Sequence, residues 1–181
     1  QVLIGSAMGF TMRMVVTAVQ AAGEYIGLQM GLSFASFFDP MSGGNTTVLA
    51  RLLNMLAMLI FLALDGHLLL IAALAESFHT LPIADGPLAA NGWMFLVTGA
   101  GEIFASGLTL SLPLVAALLT LNLAMGILNR ASPQFSIFAV GFPLTLLAGS
   151  ARMQLLIPHL GRFVGPALAR GLSSGILLTK A

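Results

Sequence analysis

The residues that could do chemistry are scattered along this sequence. Asp65-Gly66-His67 is the nearest approach to an acid–base pair, but residues two apart on a helix do not face each other. Neither His79 nor His159 belongs to a set of three or more ligand-type side chains at metal-binding spacing. No Ser-His-Asp set, phosphate-binding loop or HExxH motif occurs. The pattern predicts a protein that is not an enzyme, with neither a metal nor a cofactor.

The composition indicates what must surround the surface of this chain. Of its 181 residues, 58% are hydrophobic and 7% are charged, whereas soluble domains carry about 25% charged residues. Seven basic and six acidic side chains cannot coat a soluble monomer of this size. Lipid, protein partners or both must cover the rest, and backbone groups in lipid are satisfied within helices. The fold class is predicted to be all-α and membrane-associated. The net charge of +1 argues against a nucleic-acid partner.

A polar stripe crosses the first predicted helix. Arg13, Thr17, Gln20 and Glu24 are spaced so that they share one helical face. Arg13 and Glu24 are about 16 Å apart along the axis, too far for a mutual ion pair. Each therefore needs another partner. Two interpretations remain open: hydrogen bonds to a neighbouring subunit, or a polar pathway for a substrate.

Three glycines on the same helix, Gly23, Gly27 and Gly31, recur every four residues. Small residues at this spacing allow another helix to approach closely. We therefore predict a close helix contact along this face.

Aromatic residues follow the first helix directly, at Phe34, Phe37 and Phe38. Asp39-Pro40 then sets an extended entry into a turn, because the residue before proline avoids the α region. The aromatics could fill an ordinary core. Their place on a connection rich in glycine also permits a plug or lid.

Six helical stretches position these residues. Turn-forming residues mark the loops between them at 39–45 and 81–87. The predicted helices run from about Val2 to Gly31, Thr47 to His79 with a bend at Asp65-Gly66, Asn91 to Ser111, Pro113 to Asn129, Phe135 to Arg152 with Pro143 inside, and Ile157 to Leu178. The stretch 103–129 is uncharged and long enough to cross a bilayer, although Pro113 divides it.

A short polar turn separates two of the apolar stretches. It contains Asn129-Arg130 and Pro133-Gln134 and predicts the tip of a helical hairpin. Arg130 would lie outside the hydrocarbon, and arginine favours the cytoplasmic side of a membrane.

Four stretches together resemble one family. They are GLQMGLSFASFFDP (27–40), DGHLLLI (65–71), SFHTLPI (77–83) and LTLNLAMGILNRASPQFSIFAVGFPLTL (119–146). In this order they resemble the FliR/SctT family of type III export gate proteins, from Gly9 to about Gly149. The usual N-terminal helices of the family are expected to be missing from this chain.

The resemblance implies a function that composition does not reach. FliR-like proteins have no known catalysis and assemble with FliP and FliQ into a helical export gate. Unfolded flagellar proteins leave the cytoplasm through that gate. A FlhB-like protein is the expected further partner, near the cytoplasmic mouth. The expected location is the bacterial inner membrane, in lipid, at the flagellar basal body.

The resemblance also divides the chain, which we expect to act as one integrated unit. Residues 1–111 would form a FliP-like helical part, with residues 34–45 as the plug of the gate. Residues 112–151 would form a FliQ-like hairpin, and residues 152–181 a C-terminal helix. The alternative is a subunit of a small secondary transporter or ion channel that binds a solute near broken helices. Inverted repeats would favour this alternative, and none is visible.

Overall fold

A computed structural model describes residues 2–32, 47–80, 90–132 and 141–180 of the chain. Within these ranges every regular element is helical and no residue lies in a β-strand. The helices are α1 (Val2–Gln29), α2 (Val48–Ala63), α3 (Gly66–Thr80), α4 (Ala90–Ala131) and α5 (Phe142–Lys180). The all-α fold predicted from composition is confirmed.

The central helix is α1, which packs against α2, α4 and α5. Its buried residues recur at helical spacing and form the middle of the core. On α4 and α5 the buried positions repeat every four residues, so each of these helices presents one continuous apolar stripe to α1. The core comprises Met12, Val19, Ala22, Ile26, Met30, Leu49, Leu53, Ala57, Leu110, Leu114, Leu118, Leu156, Leu160, Val164 and Leu168.

A glycine with left-handed backbone geometry ends α1. Gly31 has φ 76°, and its N–H donates to the carbonyl of Leu28 at 3.1 Å. The N–H of Leu32 donates to the carbonyl of Gly27 at 3.0 Å. These two bonds define a Schellman motif, in which glycine avoids the steric penalty of positive φ. Gly31 therefore terminates the helix, a role that the four-residue glycine repeat did not predict.

A sharp bend separates α2 from α3. The two helices meet at 64°, and Asp65 between them has φ 53°. The Asp65 carbonyl accepts the N–H groups of Leu68 and Leu69, at 2.9 and 3.1 Å, and so starts α3. The bend predicted at Asp65-Gly66 is confirmed, and it makes this pair of helices a broken helix.

Two other predicted breaks are wrong, because α4 and α5 are each continuous. Pro113 lies inside α4, although it withholds the N–H that would bond the carbonyl four residues earlier. Residues 153–156, predicted to separate two helices, belong to α5, which also contains Pro158 and Pro166. Pro143 is only the second residue of α5, where the missing N–H has no partner to lose. Proline removes one hydrogen bond, and apolar surroundings favour keeping all the others.

Hydroxyl groups on these helices bond back to their own backbone. Thr109 donates to the carbonyl of Ala105 at 2.7 Å, and Thr120 donates to that of Ala116 at 2.9 Å. Both side chains are exposed. An exposed hydroxyl that is satisfied within its own helix suits a face without water.

Candidate functional site

The polar stripe of α1 finds one partner inside the chain. The Glu24 carboxylate accepts a hydrogen bond from the backbone N–H of Thr47, with its two oxygens at 3.2 and 3.5 Å. Thr47 is the N-cap of α2, and its hydroxyl accepts the N–H of Ala50 at 3.3 Å. The N-terminus of a helix carries partial positive charge and favours a carboxylate. Glu24 therefore holds the N-terminus of α2 against α1.

The other three residues of the stripe are placed differently. Thr17 and Gln20 are half-buried, and Arg13 is exposed. Arg13 makes no hydrogen bond or ion pair with the part of the chain that the structure describes. For these three residues, bonding to a neighbouring subunit and lining a polar pathway both stay predictions.

The glycines bring α1 and α2 into close contact. A Cβ atom on Gly23 would lie 2.6 Å from the Cα of Ala50, and one on Gly27 would lie 2.9 Å from the Thr47 hydroxyl. Both distances are shorter than a carbon side chain tolerates. These two glycines are where α2 approaches the α1 backbone.

A second close contact was missed by the sequence interpretation. A Cβ atom on Gly107 of α4 would lie 2.9 Å from the carbonyl oxygen of Ala18 and 3.0 Å from the Cβ of Ala21. Two small-residue surfaces thus meet on the other side of α1. The four-residue spacing of Ala18 and Ala22 is the signal that could have indicated this contact.

The predicted hairpin tip and plug are only partly described. Arg130 is exposed in the last turn of α4, and Asn129 beside it is half-buried. Pro133 and Gln134 lie outside the described residues. So do Phe34, Phe37, Phe38, Asp39 and Pro40 of the predicted plug.

The fold does not bring the candidate acid–base and metal-binding residues together. Asp65 and His67 are both exposed and lie at the bend between α2 and α3, while His79 is exposed at the far end of α3. Among the residues with described positions, no group of three or more His, Cys, Asp or Glu side chains could hold a metal ion.

The long helix α4 has two apolar faces. One face is buried in the core, and the other exposes large side chains at two runs of four-residue spacing. Those exposed residues are Phe104, Leu108, Leu112, Leu119, Leu123 and Ile127, and we call them the α4 row. The segment Val97–Ala131 is long and apolar enough to cross a membrane, yet only 22% of its best window is buried inside the chain. A helix that is apolar all round needs lipid or protein on its uncovered face.

Comparison with known proteins identifies the family of this chain. Residues 1–170 match the family described as bacterial export proteins, family 1. The chain belongs to this family. The resemblance seen from Gly9 to about Gly149 is thereby confirmed, and the match extends to residue 170.

Individual relatives of the export family carry a flagellar name. The flagellar biosynthetic protein FliR of Escherichia coli K12 is 55% identical over 163 residues, which are 90% of this chain and 62% of that protein. FliR of Pectobacterium carotovorum is 52% identical over the same share of each chain. FliR of Aquifex aeolicus is 32% identical over 160 residues, 87% of this chain and 61% of that protein. The chain thus spans about three-fifths of these relatives' length.

Proposed function

We propose that this chain is the main part of a core subunit of the flagellar type III export gate. With FliP-like and FliQ-like proteins it would form the channel for unfolded flagellar proteins, in the inner membrane at the basal body. A FlhB-like protein would bind near the cytoplasmic mouth. The subunit holds and passes other proteins and performs no catalysis.

The α4 row is the observation that carries this proposal. Its six large apolar side chains are exposed, and they continue along most of a helix that could span a membrane. In an export-family chain, partner helices together with lipid are the natural cover for such a surface. Apolar area that leaves water contributes roughly 25 cal/mol per Å². Leaving this row in water would therefore be costly, and lipid or partner helices must cover it.

The proposed division into two parts has support from the packing of α4 and α5. From Gly99 to Leu114 on α4, the facing residues on α5 run back from Arg170 to Arg152, so the two helices are antiparallel. An antiparallel pair with Arg130 near its turn suits a FliQ-like hairpin over 112–151. No helix break accompanies Leu112, so the FliP-like part at 1–111 would pass into the hairpin within a single helix.

The proposed plug is supported by what lies on each side of it. Gly31 ends α1. Thr47 is the N-cap of α2, and its N–H donates to the Glu24 carboxylate. Gly27 and Thr47 are in contact, so the described residues that flank this segment lie together at one end of α1. A segment held in this way at both ends is suited to close a channel. The three phenylalanines would supply the apolar bulk that excludes water.

Co-purification with the expected partners tests the export-gate proposal. The full-length protein should form a stable complex with FliP-like and FliQ-like proteins. Leu123→Lys should lose that complex, because it places a charge in the α4 row, whereas Leu123→Ala should keep it. A stable, well-dispersed monomer with no affinity for these partners would contradict the proposal. Solute uptake by the protein alone would favour the transporter alternative.

A deletion separates the plug from simple core filling. Without residues 34–45, a plugged gate should assemble and leak ions or small dyes in the absence of substrate. Core filling predicts loss of the complex. Normal assembly with an unchanged tight membrane would refute the plug.

A further inference from the structure

A basic groove lies between α4 and α5 beside Pro113, well before Arg130 along α4. Its volume is about 440 Å³. Two arginines and a histidine of α5 line it, at Arg152, His159 and Arg162. All three side chains are exposed. Its floor is apolar, formed by Leu110, Leu114 and Leu156, which are at most 8% exposed.

The charge of this groove has one sign. Neither the residues that line it nor any other residue of α5 is an aspartate or glutamate. Arg152 and Arg162 make no hydrogen bond or ion pair with other side chains or backbone groups in the described ranges. The groove therefore offers two guanidinium groups to an anion from outside the chain. The planar fork of arginine matches the oxygens of a phosphate.

The position of the groove along α4 determines its depth in a membrane. Cations cannot face hydrocarbon, so the membrane-buried part of α4 must lie between the groove and Arg130. Pro113, in the groove wall, is 17 residues from Arg130, or about 26 Å along the helix. The hydrocarbon core of a bilayer is about 30 Å thick. With Arg130 at one edge of the hydrocarbon, the groove lies near the other edge, where the long side chains of Arg152 and Arg162 can reach the lipid phosphates.

We propose that this groove binds the phosphate headgroup of an anionic phospholipid. Arg152 and Arg162 would bind the phosphate oxygens, and the leucine floor would contact the glycerol backbone and upper acyl chains. Basic pockets between membrane helices bind such headgroups at the cytoplasmic surface, and the same pairing of arginine with phosphate oxygens is available at the opposite surface. An acidic helix of a partner protein is a poorer fit, since a helix 10–12 Å wide fills about this volume with a single turn. Lipid binding in this groove does not require the proposed export role.

Photo-crosslinking tests the lipid site in the assembled complex. The complex with full-length protein is placed in nanodiscs of phosphatidylethanolamine. A photoactivatable phosphatidylglycerol or a photoactivatable phosphatidylcholine is added at equal mole fraction. We expect phosphatidylglycerol to label the segments 109–114 and 156–163 with roughly tenfold preference, because each arginine near the surface favours an anionic lipid several-fold. Arg152→Gln/Arg162→Gln should remove this preference.

Two controls keep the result interpretable. Arg130→Gln removes an exposed arginine outside the groove and should leave the preference intact. Arg152→Lys/Arg162→Lys keeps both charges and should retain part of the preference, and it serves if the glutamine variant fails to assemble. Equal labelling by both lipids, or a preference that survives Arg152→Gln/Arg162→Gln, would overturn the proposal. Exclusion of both lipids by an acidic partner segment in the groove would also overturn it.

Discussion

The contact between α1 and α2 is complete within the chain, whereas the outer surface of α4 is not. In the first region Gly23 brings two backbones together, and Glu24 satisfies the N–H of Thr47. In the second, the α4 row exposes six large apolar side chains. Residues of the first region should therefore govern the stability of the chain itself. Residues of the second should govern assembly and insertion.

The prolines follow the same contrast. Three prolines lie inside the continuous helices α4 and α5: Pro113 in α4, and Pro158 and Pro166 in α5. The helices α1 and α2 contain none. All three prolines are exposed, so their rings face away from the core that the same helices share with α1.

The largest expected effect on stability is that of Gly23→Ala. The added methyl group would overlap the Ala50 backbone, which can move only if α2 shifts away from α1. Overpacking of this kind typically costs about 1–3 kcal/mol. Resistance of the solubilised complex to heat or SDS measures the loss.

Gly9→Ala is the matched control for this substitution. A Cβ atom at Gly9 would meet nothing within 4 Å. Alanine there should be neutral or stabilise α1 by up to about 1 kcal/mol through helix propensity. Equal losses from the two substitutions would show that the α1–α2 contact is not as close as described.

Glu24→Ala should have the next largest effect. It leaves the part-buried N–H of Thr47 without its acceptor and removes a favourable charge from the start of α2, at a cost of about 1–2 kcal/mol. Glu102→Ala removes an exposed carboxylate from α4 and should change stability by no more than about 0.5 kcal/mol. Resistance of the solubilised complex to heat or SDS again compares the two variants. A smaller loss of stability from Glu24→Ala than from Glu102→Ala would count against the role of Glu24.

The smallest effect concerns the bend between α2 and α3. Asp65→Val should cost about 1 kcal/mol, because a β-branched residue disfavours positive φ. Asp65→Gly should leave stability nearly unchanged, because glycine accepts positive φ, and under the proposed function it should also leave export unchanged. Loss of export in a stable Asp65→Gly protein would reveal a function for this carboxylate.

Features determined by neighbouring residues were predictable from the sequence. The all-α fold follows from composition, the bend at Asp65-Gly66 from turn chemistry, and the close contact at Gly23 and Gly27 from their spacing. The family followed from four motifs in order.

Features determined by distant residues were not predictable. The partner of Glu24 is 23 positions along the chain, and nothing near Glu24 indicates it. Helix continuity through Pro113 depends on packing, because local chemistry alone favours a break. The basic groove requires the register of α4 against α5, which no single segment contains.

Accessibility of single cysteines tests most directly whether lipid or partner helices cover the α4 row, since the chain contains no cysteine. Leu123→Cys, in the α4 row, and Ser132→Cys, just beyond α4, are compared in membranes that contain the assembled complex. We predict that a membrane-impermeant maleimide labels Ser132→Cys from the cytoplasmic side. It should label Leu123→Cys only after denaturation, because lipid or partner helices cover the row. Equally rapid labelling of Leu123→Cys in the intact complex would contradict the account.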